Sequence, residues 1–520
     1  MNFLRAIVTV SGFTMLSRIL GFLRDILIAS VLGASSIADC FFVAFRFPNL
    51  FRRLFAEGAF SAAFVPMFSA ALEKHGRHSA KTFADGAFSI LLVSLIIFIG
   101  VVELFMPLVM WVLAPGFDAI PGKMALATEL SRIAFPYLIF ISLVSLQSGV
   151  LNSLNRFAAA AATPILLNLT LITALLGFAK SQILAGYALS WGIFAAGVLQ
   201  FAWLRYHCKR EGLPVSWRRP ELTPEIQLLG RRILPVIFGA SLYQINLLIG
   251  TILASLISDG AVSFLYYADR VTQLPLGVVG IAVSTALLPT LSQQLAAGNE
   301  TAAMRSQNRG LEYALLLTLP ATVALYIISE PLITVLFERG AFSSTDSIAT
   351  AWALMAYSTG LPAYVLIRVL TPGFFAREDT STPVKIAAVA MIANIVLNLF
   401  LMQIWGHIGI AIAASISAWI NATALGWILH RRKQFVLDKR LSNRWPRIVL
   451  ASLLMGIILY FAGELLAPWF KNDEFYRSAA LLVLVCFGIA FYGLIAQILG
   501  AAHWRDLKYL FRKSSEVTNP

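Results

Sequence analysis

Ser11, Thr14, Ser17, Arg18, Gly21, Arg24 and Asp25 share one face of a segment that is otherwise apolar. On a helix they fall within an arc of about 140°, and Phe13, Leu16, Ile19, Leu20, Phe22 and Leu23 cover the remainder. A second stretch repeats the pattern. Asp39, Arg46, Asn49, Arg53 and Glu57 lie within about 80° of one another, while Arg52 sits off that face unless Pro48 kinks the helix and shifts its phase. Ser263, Tyr266, Arg270, Gln273 and Gly277 form a third stripe. The chemistry open to such stripes is recognition of an anion. A guanidinium presents paired donors that match phosphate or carboxylate, and it stays charged where an ammonium would lose its proton. Gly21 leaves room for a ligand to approach the backbone. Nothing in the chain resembles a catalytic set: there is no DxD, no nucleophile elbow, and the 6 histidines are scattered. A membrane-bound transferase or polymerase would need an acidic metal cluster or a carboxylate base. The reading is therefore not an enzyme.

The elements that must hold these stripes are transmembrane helices. Of 520 residues, 59% are apolar and 13% charged, and apolar runs long enough to cross a bilayer recur along the whole length. The expected fold is an all-α polytopic membrane protein of about fourteen spans, the first over 5–32, the second over 36–60 and the eighth over 262–290. No cleavable signal peptide is expected, because the first segment runs without a small-residue cleavage site into Arg18–Asp25. Cys40, Cys208 and Cys486 show no spacing for a disulfide framework or a metal site. A net charge of +14 could suggest nucleic acid, but here the cations gather in alternate loops. Such a bias marks the cytoplasmic side and places both termini there. Subtracting loop and terminal cations leaves Arg18, Arg24, Arg46, Arg52, Arg53, Arg132, Arg270 and Arg368 inside apolar spans, and no lysine. Each costs roughly 3 kcal/mol at the centre of a bilayer, so it is expected to face a bundle interior or an aqueous cavity. Arg132, one turn from Glu129, and Arg368, near a cytoplasmic end, can instead snorkel.

The chain also repeats internally. PMFSAAL at Pro66 matches PTLSQQL at Pro289, and MPLVMWVL at Met106 matches EPLITVLF at Glu330, with Pro66 to Pro107 spanning 41 residues and Pro289 to Pro331 spanning 42. Further on, Arg156 and Arg377 each precede a Thr-Pro that opens the next span. Two parallel six-span lobes facing a central cavity are a transporter architecture. The expected organisation is an N-lobe over 1–204, a basic cytoplasmic linker over 205–232, a C-lobe over 233–430, and a basic cytoplasmic loop over 431–445. Two extra helices over 446–502, offering a groove for a lipid tail, and a cytoplasmic tail over 503–520 complete it. An arginine-lined cavity argues for an anionic substrate, most simply a diphosphate, and against a multidrug antiporter for organic cations, whose cavity would carry the opposite sign. An exporter of another anionic lipid-linked oligosaccharide fits the same residues.

Four motifs carry a resemblance to a known family: SRILGFLRD (Ser17–Asp25), ADCFFVAFRFPNLFRRLFAEGAFSAAFVP (Ala38–Pro66), APGF (Ala114–Phe117) and YYADR (Tyr266–Arg270). They are similar to the bacterial lipid II flippase family, the MurJ/MviN type of the multidrug/oligosaccharidyl-lipid/polysaccharide exporter superfamily. The resemblance implies alternating-access transport of lipid II, the undecaprenyl-diphosphate-linked peptidoglycan precursor, from the cytoplasmic to the periplasmic leaflet of the inner membrane. The expected partners are lipid II, membrane lipids and the cell-wall synthesis machinery, with no nucleic acid. It further implies a cavity lined by Ser17, Arg18, Arg24, Arg52, Arg53 and Arg270, read as substrate contacts, and by Asp25, Asp39, Glu57 and Asp269, read as supporting or gating; the polar stripes add Gly21 and Arg46 to the second group. One departure concerns sodium, which some members hold with an aspartate in the seventh span. Here that span offers Gln244 and Asn246, and the eleventh offers Asn394 and Asn398. Neutral amides bind sodium weakly, so no cofactor is expected, and coupling to sodium or to membrane potential stays open.

Overall fold

The computed structural model describes residues 3–52, 60–470 and 472–502, with side chains at all of these except 3–8, 234–243 and 278–286. The described chain is helical and divides into two compact units, Met1–Ser263 with Arg339–Ser343, and Phe264–Glu338 with Ser344–Pro520. The first unit holds α1 (Phe3–Leu32), α2 (Ser36–Phe51), α3 (Phe60–Leu104) and α4 (Met106–Leu113). After a 3₁₀ turn at Pro115–Ala119 come α5 (Lys123–Ala134), α6 (Tyr137–Ser153), α7 (Phe157–Phe178), α8 (Gln182–Arg210) and α9 (Pro224–Ser255). The second contains most of α10 (Ala261–Ala296), then α11 (Glu300–Ile327), α12 (Ser329–Phe337), α13 (Ser344–Phe375), α14 (Ser381–Arg431), α15 (Lys439–Phe470) and α16 (Glu474–Ile498).

Helices and spans are not the same count. Among the described residues 9 helical stretches are long and apolar enough to cross a membrane. The stretch Ser381–Arg431 runs through two expected spans, broken at Gly406, whose φ of 55° no helix uses. Conversely, α5 and α6 divide one expected span at Pro136, which cannot donate its backbone N–H.

The expected linker over 205–232 is mostly structured. Helix α9 starts from Thr223, whose hydroxyl accepts from Ile226 N, with Pro224 in the first turn and Glu225 beside it. At 32 residues it measures about 48 Å, longer than the hydrocarbon layer is thick. Before it, Ser216 N donates to Asp85 Oδ1 at 2.7 Å and Arg218 N to Ser89 Oγ at 2.8 Å, which straps the connection onto α3. Accordingly α9 packs on α3 and α4, and the boundary between units falls after Ser263 rather than at 233. The expected loop over 431–445 is likewise partly helical, since α15 begins at Lys439. Buried Glu312 of α11 accepts from Arg309, Arg440 and Arg444 and fastens α15 to α11.

One loop of the first unit is built on glycine. Ala341 N donates to Ser30 O at 2.7 Å, and the chain reaches it through Gly340 in the left-handed region. A Cβ at Gly340 would lie 2.2 Å from Ser30 O. Gly340→Ala is therefore expected to destabilise the protein by at least about 1–3 kcal/mol through backbone strain alone. Thermal unfolding of the detergent-purified variant measures it.

Candidate functional site

The stripe on α1 closes around Arg24. Its guanidinium is 4% exposed and each of its nitrogens is engaged. Nε and Nη2 donate to Asp25 Oδ1 at 3.0 and 2.6 Å, and Nη1 donates to Asn168 Oδ1 on α7 at 3.0 Å. The ring of Phe45 lies 5.7 Å from Cζ, a cation–π distance. Asn168 is fixed in turn by donating Nδ2 to Ser17 O at 2.9 Å, and its amide packs over Gly21. A charged pair this deep is tolerated because it is paired and hydrogen-bonded at once. Arg18, about 1.7 turns earlier, is exposed and has no ion pair among the described residues.

A second buried cluster joins α2, α5 and the α9–α10 turn. Asp39 is fully buried and accepts from Lys123 Nζ at 2.8 Å, Gly260 N at 2.8 Å, Ser263 N at 2.9 Å and Ser263 Oγ at 2.6 Å. Lys123 Nζ also bonds Asp259 Oδ1 at 2.5 Å and stands 4.2 Å from the Phe117 ring centroid. Ser36 Oγ completes the ring by donating to Asp259 Oδ2 at 2.5 Å. Burial pushes the Asp259 carboxyl up, but the hydrogen bonds from Lys123 and Ser36 outweigh it and hold this turn residue below the usual carboxylate range.

Of the remaining expected site residues that are described, Arg46 reaches another helix and the others bond within their own. Arg46 of α2 donates to Thr251 of α9, and Arg52 Nε donates to Asn49 Oδ1 at 3.0 Å. In the second unit, Arg270 donates through Nε and Nη2 to Tyr266 Oη at 3.1 and 3.0 Å, and Asp269 accepts from Gln273. Arg53 and Glu57 lie outside the described residues. Asn394 and Asn398 are buried on α14, and Asn398 has no hydrogen-bond partner for either amide atom among the described residues. No group of three or more His, Cys, Asp or Glu that could hold a metal occurs among them. Cys40 and Cys208 are buried and Cys486 is exposed.

Two residues escaped the sequence reading. Asn168 sits alone in the apolar run PILLNLTLITALL, and an embedded amide is itself a signal of function or helix pairing. Lys123, expected in a loop, opens α5 and is 3% exposed. Only its partner across the fold distinguishes it from a loop cation.

A sequence model of the family described as Lipid II flippase MurJ matches residues 28–480. The chain is 42% identical over 526 residues to the "Probable lipid II flippase MurJ" of Rhizobium meliloti, covering 100% of this chain and 98% of that one. With the protein of the same description from Rhizobium tropici it shares 41% over 506 residues, 96% and 95% of the two chains. Among solved structures, "Lipid II flippase MurJ, inward closed conformation" superposes with a TM-score of 0.80 at 28% identity, over 96% of this chain and 99% of that one.

Proposed function

This chain belongs to the lipid II flippase MurJ family, and from that premise we propose that it moves lipid II from the cytoplasmic to the periplasmic leaflet of the bacterial inner membrane by alternating access. The observation that carries the chemistry is the buried Arg24, held flat by Asp25 at one edge on a polar stripe of an apolar helix. A guanidinium fixed in this way recognises a diphosphate by paired bonds and at low entropic cost. Arg18, Arg52, Arg53 and Arg270, with Ser17, supply further contacts. Asp25, Asp39, Glu57, Asp269, Gly21 and Arg46 support them or gate access. Both termini are assigned to the cytoplasm by the distribution of loop cations. The helices over 446–502 are assigned the undecaprenyl tail, and the cell-wall synthesis machinery is the expected receiver of the product.

Depletion of the protein is expected to arrest wall synthesis and to leave lipid II in the cytoplasmic leaflet. An assay of periplasm-accessible lipid II reads this, and a normal signal throughout depletion overturns the proposal. For energy coupling, Asn394 and Asn398 are the residues that would hold sodium, and Asn398 has unsatisfied amide atoms to offer. Without a carboxylate such a site is weak. Replacing sodium by choline is therefore expected to leave the flipping rate unchanged, as coupling to membrane potential requires. A fall would show that sodium drives transport.

A further inference from the structure

Arg24 has two edges able to grip an anion with parallel bonds, Nε with Nη2 and Nη1 with Nη2. Asp25 Oδ1 spans the first. Nη1 is bonded to Asn168 Oδ1, so the second edge is also in use. A diphosphate that takes Arg24 by two parallel bonds must therefore displace one of them. The partners are unequal. Asp25 is a carboxylate adjacent in sequence and makes charge-assisted bonds on two nitrogens, whereas Asn168 offers one neutral amide oxygen from α7. Its other end stays anchored, since Nδ2 donates to Ser17 O over the open face of Gly21.

We propose that Asn168 is the exchangeable partner of Arg24: substrate diphosphate replaces the Asn168 amide oxygen on the Nη1 edge while Asp25 keeps its own edge. Asn168 is thus a positioning residue that acts through Arg24. It stabilises the guanidinium without substrate and competes with the diphosphate for Nη1. Because Asn168 keeps its bond to the Ser17 carbonyl, the exchange at Nη1 leaves the tie between α7 and α1 in place. This inference rests on arginine recognition of the diphosphate as proposed above.

The test is equilibrium binding of lipid II, with flipping rate alongside, by the full chain in nanodiscs and proteoliposomes. Asn168→Leu keeps the volume and removes the competitor, so binding is expected to tighten about threefold or more while flipping slows. Asn168→Asp puts a carboxylate against Nη1, which the diphosphate must displace at greater cost, so binding is expected to weaken about tenfold. A purely structural role would move both variants in the same direction, and that result overturns the proposal. Asn168→Ala serves the first arm should the leucine variant not accumulate. In an Arg24→Ala background the difference between the variants is expected to vanish. If Arg24→Ala itself binds lipid II like the unmodified protein, it is the arginine reading that fails, and the two failures are thereby told apart.

Discussion

Arg24→Ala is expected to abolish growth of cells that depend on this protein, whereas Arg132→Ala supports it. Arg24 is buried, tied to Asp25 and Asn168, and lies on the polar face of α1. Arg132 is exposed. Losing a charge-assisted bond costs about 1.5–3 kcal/mol, which is on the order of tenfold to a hundredfold in affinity for the diphosphate. Alanine also strips the cation from a buried carboxylate, so the decisive variant is Arg24→Lys. Lysine keeps the charge and loses the planar fork. A single ammonium cannot hold Asp25 along one edge and a phosphate along the other, so transport is expected to fail although the protein is stably expressed. Asp25→Asn retains shape and part of the hydrogen bonding, so it is expected to leave protein levels near normal while slowing flipping. Full transport by Arg24→Lys would show that the site works by charge attraction alone.

The second large effect lies in the Asp39 cluster and concerns folding rather than affinity. In Lys123→Met the fully buried Asp39 carboxylate keeps only the neutral donors Gly260 N, Ser263 N and Ser263 Oγ. Breaking a buried pair from one side costs about 3–5 kcal/mol because a desolvated charge is left uncompensated. Asp39→Asn is expected to be milder, since Lys123 retains Asp259, which is half exposed. In the double variant both buried charges are gone, so it is expected to recover much of what Lys123→Met loses. Thermal unfolding of the purified proteins ranks the three, and a Lys123→Met melt equal to that of the unmodified protein would refute the assignment. Acid acts in the same direction. Asp259 has a folded value below its ordinary 3.8, so the stability it contributes is complete above that pH and is lost as pH falls through the lower folded value.

Much of this was legible before any coordinates. A membrane class follows from composition, because no water-soluble core could absorb so much apolar sequence. The polar stripe on α1 follows from helical periodicity, which is local; that Asp25 pairs with Arg24 is a finding of the structure, since adjacent side chains on a helix do not normally face each other. Motif resemblance supplied the family, and family membership was then shown across nearly the whole chain. What lay beyond reach was every pairing between distant segments. Asn168 lies 144 residues from Arg24 and Lys123 lies 84 from Asp39. Periodicity says which way a side chain faces its own helix and nothing about what comes to meet it. Lys123 reads as a loop cation in sequence because a charge near a span end has water available. Only the fold withdraws that water, by bringing Phe117, Asp39 and Asp259 around it. The boundary of the first unit was hidden for the same reason: the sequence reading placed residues 233–257 in a second lobe, whereas α9 packs on α3 and α4. Local chemistry thus determined which residues carry charge into the membrane. The tertiary structure decided which of those charges are neutralised, because desolvation depends on neighbours that the chain supplies from far away.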